Sequence, residues 1–549
     1  MRRSMLSRLL DWLLLGMRPG RALLSAFALA LASRPAVAAA PAPSSISPLG
    51  GGTPSAVSVA LVSRALGWAN TKGLQMSPQP GVFVHAPLSL TPFPLSATEF
   101  ERARALAPAF NTLVEAIAAD PDWLLEVLDA TLASDPFTAR LAQVLRDLRT
   151  AGGEAQPLHL GIHRSDYMLD EPARADGAGF AAPRLQQIEL NTIAASFGCL
   201  SAKISGLHTY LCAVAADDVA AVLEPSAAAE LAAGARLPPN SALEALPDAL
   251  AAAHAAYVDQ AGLSIGEGTL PVALFVVQPG EGNVADQRML ELALYERHGV
   301  QTLRCTLGEI ATDAELRNGP SRGGPRPCLY VRGLEVAVAY FRAGYGPDDY
   351  LGEAEWGARL TVERSAAIKC PTVSYQLVGT KKVQQVLSEP GVLERFVAHP
   401  AEAAAVRATF AGLYSLQTDA EYEHALQLTR DDPEGFVLKP QREGGGNNVY
   451  GRAATEKLSG MRAGERKGYI LMELIRPRPR QLALARKNEV TLGQAVCELG
   501  VYSVFLGGGG QPPLLNEVAG HLLRAKLLGT DEGGVAAGFA VLSSPLLEN

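Results

Sequence analysis

Cysteine is scarce in this chain, with six residues in 549. They stand at Cys199, Cys212, Cys305, Cys328, Cys370 and Cys497, and none form a C-x-x-C pair. That spacing argues against a disulfide scaffold or a thiolate zinc site, and reads as buried thiols in a reducing compartment. Charge of one sign is also lacking: 48 basic residues face 56 acidic ones, for a net charge of -8. A nucleic-acid surface needs clustered Lys and Arg, so that partner class is not expected. There is no N-x-[ST] sequon, in keeping with a non-secretory mature protein. After the N-terminal segment no apolar run reaches the roughly 18 uncharged residues of a spanning helix, so no membrane span is expected in the mature form. The G-x-x-x-x-G-K-[ST], H-R-D, D-F-G and H-E-x-x-H signatures are all absent. This excludes a P-loop enzyme, a protein kinase and a zincin. What remains is 48% hydrophobic and only 19% charged, a composition able to pack a large core.

The first 56 residues stand apart. Arg2, Arg3, Arg8, Arg18, Arg21 and Arg34 face the single acid Asp11, and the stretch ends in the linker-like PAPSSISPLGGGTPS. An Arg-rich, acid-poor start fits a transit peptide for a plastid or mitochondrion. The apolar run 23–31 followed by ASRPAVAAA also fits a signal peptide with an A-x-A-like cleavage site. A disordered tail on a cytoplasmic protein is the third reading.

Residues 57–149 carry a helical pattern, with Asp120 and Asp135 placed as N-caps, each followed by proline. LHLGIHRSDYML (158–169) and RLQQIELNTIAASFG (184–198) read as strands with polar tips. Residues 213–256 are Ala-rich and helical, with a break near 237–240. At Pro271 the style changes. PVALFVV, the amphipathic VADQRMLELALYERHG with Gly299 as its stop, and VQTLRCTL form a βαβ unit of the kind found in parallel sheets. LYVRGLEVAVAYFR reads as a hairpin around RGLE, and GGGG (507–510) as another hairpin tip. The expected division is 1–56 targeting segment, 57–270, 271–382 compact α/β domain, and 383–549.

Three motifs carry chemistry. In KPQREGGGNN (439–448) a strand delivers Lys439, and Gly444, Gly445 and Gly446 follow. Consecutive glycines let backbone N–H groups approach an anion, Lys439 and Arg442 supply positive charge, and Glu443 and Asn448 are hard oxygen donors of the type Mg²⁺ takes. A bare GGG is more often a turn, but the charged residues around this one favour a phosphate grip. In QIELNTIAAS, Glu189 and Asn191 share one face of a strand and suit a metal approached from one side; the competing reading is a solvated strand end. DEGGVAAG (531–538) can close over a ligand, with Arg524 and Lys526 alternating upstream. GTKK (379–382) is by itself a surface basic pair.

Taken together, RSDYM, QIELNTIAASFG, DQR, AYFRAGY, ERSAAIKCP, GTKKVQQ, RATFAGLYSL, FVLKPQREGGGNN, YILMEL, ELGVY and GHLLRAK with GGVAAG resemble eukaryotic-type glutathione synthetase of the ATP-grasp superfamily. The resemblance runs from about Val57 to the C-terminus. It implies a mixed α/β fold: an ATP-grasp catalytic body with an inserted parallel-sheet α/β substrate-binding domain, assembled as a homodimer. It also implies ligation of γ-glutamylcysteine to glycine with ATP, through an acyl phosphate, and about two Mg²⁺ per site, as in other phosphoryl-transfer centres.

By position, the resemblance makes Glu189, Asn191 and Glu443 the metal ligands. It assigns Lys381 and Lys439 to the phosphates, Arg442 to the nucleotide, and Gly444, Gly445, Gly446, Asn447 and Asn448 to the lid, followed by Tyr450. Met472, Glu473, Leu474 and Ile475 become the adenine hinge, and Glu498, Lys526 and Glu532 further nucleotide contacts. Arg164, Ser196, Glu281, Asn283, Gln287, Arg342, Tyr345, Arg524, Val535 and Ala536 match the peptide-substrate contacts. Arg164, Arg524, Lys381 and Lys439 form the expected catalytic set. Some positions depart from the pattern: Ala194 stands in place of Ser, Ala343 of Asp, Leu474 of Lys and Glu532 of Asp. Ala536 and Ala537 resemble the glycine-selective form. A homoglutathione-type ligase with another amine acceptor, and an inactive nucleotide-binding regulator, stay open as alternatives.

Overall fold

A computed structural model describes residues 57–549 apart from 175, 178, 264–269, 320–323, 442–447, 488, 531–533, 536 and 537. Helices Val59–Lys72, Ala97–Ala118, Pro121–Leu132 and Pro136–Thr150 realise much of the helical pattern. Asp120 and Asp135 cap the last two: their carboxylates accept from the N–H of Trp123 and Thr138, and proline follows at N1. The helical reading fails over 75–96, where the chain forms strands Gln75–Gln79, Val82–His85, Leu88–Ser89 and Phe93–Ser96. Pro78, Pro80, Pro87, Pro92 and Pro94 crowd this stretch. Each lacks an N–H and pushes the residue before it toward extended backbone, so no helix can pass through.

The largest sheet has seven strands, in the order Arg480–Arg486, Leu88–Ser89, Val541–Ser543, Gln511–Leu527, Glu489–Gly508, His159–Asp170 and Arg184–Asn191. Arg480–Arg486 also pairs with the start of Glu489–Gly508, so the ladder closes through a ring of five strands. Closure of this kind removes open edges. The two longest strands meet at Gly509 and Gly510, whose φ values of 61° and 72° make the tight turn expected of GGGG.

Residues 271–382 supply a second sheet. Thr302–Cys305, Val272–Val276, Leu334–Phe341 and Ile368–Cys370 run parallel, and helix Val284–His298 makes the βαβ crossover, ending at Gly299 with φ 69°. The sheet is nevertheless mixed, not purely parallel, because Arg326–Val331 pairs antiparallel with both Leu334–Phe341 and Ala314–Gly319. The RGLE turn dictates this: Arg332 and Gly333 both have positive φ, 52° and 78°, the geometry of a two-residue hairpin.

A third, antiparallel sheet has the order Leu413–Tyr414, Tyr469–Glu473, Phe436–Pro440, Val449–Tyr450. Alternation splits its side chains between two faces. Phe436 and Leu438 pack in one apolar cluster with Leu416, Leu426, Leu458 and Leu471. Val437 joins Leu413, Ile470, Met472 and Ile475 in another, and Lys439 follows Val437 onto that second face.

Candidate active site

The second face of the antiparallel sheet and the seven-stranded sheet enclose a cleft of ≈ 600 Å³. Met168, Ile188, Val437, Met472, Ile475 and Leu528 give it apolar walls, and Glu189, Lys381, Lys439, Glu498, Arg524 and Lys526 give it charge. Tyr450, Asn448, Glu473 and Leu474 also line it. An apolar slot beside a cluster of cations suits a flat aromatic base carrying an anionic tail. In the hinge, the N–H of Glu473 donates to Gly412 and that of Leu474 to Gly435, so Ile475 is the first residue beyond those bonds.

The floor is a chain of ion pairs. Lys381 Nζ lies 2.6 Å from Glu189 Oε2, and Lys439 Nζ donates to the Ile188 carbonyl at 3.2 Å. Burial, and then the neighbouring Lys381 charge, push the Lys439 ammonium down to about 8. Burial raises Glu189, but Lys381 and Lys439 outweigh it and hold the carboxyl well below the usual range. Asp166, fully buried, is the hub of the remaining groups. Its carboxylate accepts from Arg164 Nε at 2.6 Å, Arg164 Nη2 at 2.7 Å, Asn191 Nδ2 at 3.0 Å and Arg524 Nη2 at 3.1 Å. Arg524 also pairs with Glu498. Burial raises the Glu498 carboxyl against the pull of Arg524.

Asp166 was not among the expected site residues, although it stands in RSDYM two positions after Arg164 on the same strand. Gly500 was missed as well. It is paired with Asp166 across the sheet, and a Cβ there would come within 2.8 Å of Arg164 Cδ and Asp166 Oδ1. Glycine is what lets the Arg164–Asp166 pair lie flat on the sheet.

Glu189 and Asn191 belong to strand Arg184–Asn191. Asn191 Nδ2 is engaged by Asp166 and by the Arg164 carbonyl, so its Oδ1 is the atom left to act as a donor. A carboxylate and an amide oxygen from one strand fit a hard cation such as Mg²⁺. The third expected ligand, Glu443, lies outside the described residues, as do Arg442, Gly444, Gly445, Gly446, Asn447, Glu532 and Ala536. Among the described residues no cluster of three His, Cys, Asp or Glu side chains could hold a metal ion.

Three of the expected peptide contacts, Arg164, Ser196 and Arg342, belong to or hold residues 192–197. Two non-glycine residues there have positive φ, Ala194 at 51° and Phe197 at 70°, a backbone that needs to be held from outside. Arg342 Nη1 donates to the Ala194 carbonyl at 2.7 Å, and Arg164 Nη1 and the Tyr502 hydroxyl both donate to that of Ser196. Asp286, the first residue of DQR and outside the expected site set, accepts from the N–H of Phe197 at 2.9 Å and of Leu200 at 3.1 Å. Glu281 accepts from the N–H of Asn283 and from Gln287 Nε2. Asn283 is buried, and its Oδ1 has no hydrogen-bond partner among the described residues. A buried orphan acceptor marks a place where a ligand donor or water belongs. Tyr345 donates to Gln278, and Val535 is buried.

The family profile described as "Eukaryotic glutathione synthase, ATP binding domain" matches residues 56–547. A chloroplastic glutathione synthetase of Solanum lycopersicum is 40% identical over 496 residues, covering 88% of this chain and 83% of its own. The Dictyostelium discoideum glutathione synthetase is 37% identical, with 89% and 98% covered, and the Homo sapiens protein 38% identical, with 84% and 90% covered. In fold, the chain is similar to the apo form of a glutathione synthetase-like effector from Globodera pallida, with TM-score 0.66, 21% identity, and 89% and 97% of the two chains covered. A profile spanning nearly all the described residues, and relatives matched over most of their length, establish that this chain belongs to the eukaryotic glutathione synthetase family of ATP-dependent ligases.

Proposed function

We propose that this chain joins γ-glutamylcysteine to glycine at the expense of ATP, releasing glutathione, ADP and phosphate. The observation that carries this reading is the convergence of Lys381, Lys439, Lys526, Arg524, Glu189 and Glu498 on one cleft with apolar walls. In the first step the dipeptide's cysteinyl carboxylate attacks the γ-phosphorus of ATP, and ADP leaves. The glycine amine then attacks the acyl carbon, phosphate departs, and the amine's extra proton passes to solvent. Neither step needs a nucleophile from the protein; both need neutralised charge and alignment. Lys381 and Lys439 neutralise the phosphates, and Arg524 and Arg164, held by Asp166, face the developing acyl phosphate. Glu189 and Asn191, with Glu443, would hold Mg²⁺, which neutralises phosphate charge when bound. By the family resemblance, the stretches 444–448 and 531–538, which lie largely outside the described residues, would exclude water from the acyl phosphate.

A single turnover with ATP and γ-glutamylcysteine but no glycine tests the first step. Labelled phosphate should move from ATP to a hydroxylamine-trappable acyl phosphate, and only when the dipeptide is present. ATP bound without transfer would favour the inactive regulator. We also read residues 271–382 as the substrate-binding insertion in an ATP-grasp body, and 1–56 as a plastid address, since the tomato relative is a chloroplastic protein.

The assembly we propose is a homodimer. Val82, Phe83 and Val84 are 38%, 50% and 44% exposed, on a strand whose one partner among the described residues is Gln75–Gln79. Helix Val284–His298 packs beside that hairpin and exposes Leu292 and Tyr295. An apolar patch on an open strand edge suits a second copy of the chain. Phe83→Arg should shift the protein from dimer to monomer in sedimentation; an unchanged mass would remove this face from the proposal.

A further inference from the structure

Two loops on the substrate side meet at a residue that the reaction chemistry does not call for. One is 277–283, with Gln278, Glu281 and Asn283. The other is 342–346, with Arg342 and Tyr345, and it has no acid of its own. Its carboxylate comes from Asp349, at the end of the short turn Pro347–Asp349. One oxygen of Asp349 accepts three backbone N–H groups in succession, from Gly344 at 2.7 Å, Tyr345 at 3.2 Å and Gly346 at 3.4 Å. The other accepts from Gln278 Nε2 at 2.7 Å. Gln278 passes the constraint on: its Oε1 accepts from the Tyr345 hydroxyl at 3.2 Å. Asp349 thus fixes the backbone that carries Tyr345, the direction of the Tyr345 hydroxyl, and the gap between the two loops. Tyr345 borders Lys381 in a small pocket, so this gap lies where dipeptide and phosphates meet.

The opposite side of the loop is already rigid. Gln376 Nε2 donates to the Gly344 carbonyl at 2.7 Å, and its Oε1 accepts from Arg359, itself paired with Glu363 in the core. With the carbonyl side fixed by the core, the N–H groups of Gly344, Tyr345 and Gly346 are set by Asp349 alone among the described residues.

We propose that Asp349 is a positioning residue for the dipeptide, holding Tyr345 and the 277–283 loop in register so that both can engage it. This rests on the proposed function, in which Tyr345 contacts the dipeptide. A carboxylate accepts on both sides, whereas an amide of the same shape must turn its NH₂ toward either the loop N–H groups or Gln278. Asp349→Asn therefore breaks the clamp without changing its volume.

In the full-length protein, Asp349→Asn should raise KM for γ-glutamylcysteine about tenfold, the size of one lost hydrogen bond to a charged group. KM for ATP and the melting temperature should stay at wild-type values, and Asp349→Glu should recover part of the affinity. Combining Asp349→Asn with Tyr345→Phe should cost less than the sum of the two. Wild-type dipeptide KM in Asp349→Asn, alongside a raised KM in Tyr345→Phe, overturns the proposal and leaves the function standing. Wild-type KM in both variants overturns it together with the assignment of Tyr345. Equal loss for ATP and dipeptide with a lowered melting temperature makes Asp349 merely structural, and also overturns it.

Discussion

Lys439 is an ammonium buried beside a second lysine, and it is held at about 8 by burial and by Lys381. Both effects oppose its charged form, so the free protein carries it at a cost that a bound polyphosphate would repay. Lys439→Met should therefore raise the melting temperature of the nucleotide-free protein, by an amount equivalent to roughly 3 kcal/mol at neutral pH. It should also lower kcat about 10² to 10³-fold, as expected for losing a preorganised charge. Thermal melts without nucleotide and steady-state turnover check the two halves; a destabilised variant with normal kcat would contradict both. At this scale much of the site was legible. Lys439, Glu189 and Asn191 stand out because their types and spacing already suggest chemistry. Asp166 and Gly500 do not, because their roles arise only when strand Glu489–Gly508 is laid against His159–Asp170 and puts Gly500 opposite Asp166. No local pattern encodes that register.

At the scale of elements, the strand His159–Asp170 carries Arg164 and Asp166 into the site, and its first residue is pinned. His159 lies 3.1 Å from Glu115 and 2.5 Å from Glu154 through its two ring nitrogens, and Tyr375 donates to Glu115 at 2.6 Å. Burial lowers the imidazolium, but hydrogen bonds to Glu115 and Glu154 outweigh it and carry His159 up to about 9. A group raised on folding contributes stability that is complete below its unfolded value, near 6.5, and is lost as pH climbs through about 9. The contribution is on the order of 3 kcal/mol. Denaturant melts of wild type should weaken between pH 6.5 and 9 relative to His159→Gln, which should lack that component. Parallel pH curves for the two proteins would mean the imidazole is neutral. Legibility is uneven here. Asp-Pro caps, the βαβ unit and both hairpin tips follow from local chemistry. The strands at 75–96 escaped because the helical period on either side was read through a proline-rich stretch. The antiparallel edge of the 271–382 sheet follows from the RGLE hairpin already recognised, although the whole was expected to be parallel.

For the whole molecule, the seven-stranded sheet joins strands from 57–270 with strands from 480–543, while 271–382 keeps a sheet of its own. The cleft draws residues from Met168 to Gly534, a long-range convergence that composition cannot reveal and that ordered motifs suggested only through family resemblance. The account stands on the claim that this convergence couples ATP cleavage to one peptide bond. The most direct measurement supplies the purified protein with Mg-ATP, γ-glutamylcysteine and glycine, and counts glutathione and phosphate together, with β-alanine and serine as rival acceptors. Equal amounts of glutathione and phosphate are expected, with no steady phosphate release without the dipeptide and a clear preference for glycine. Phosphate release that ignores the dipeptide, or a preferred acceptor other than glycine, would contradict this expectation.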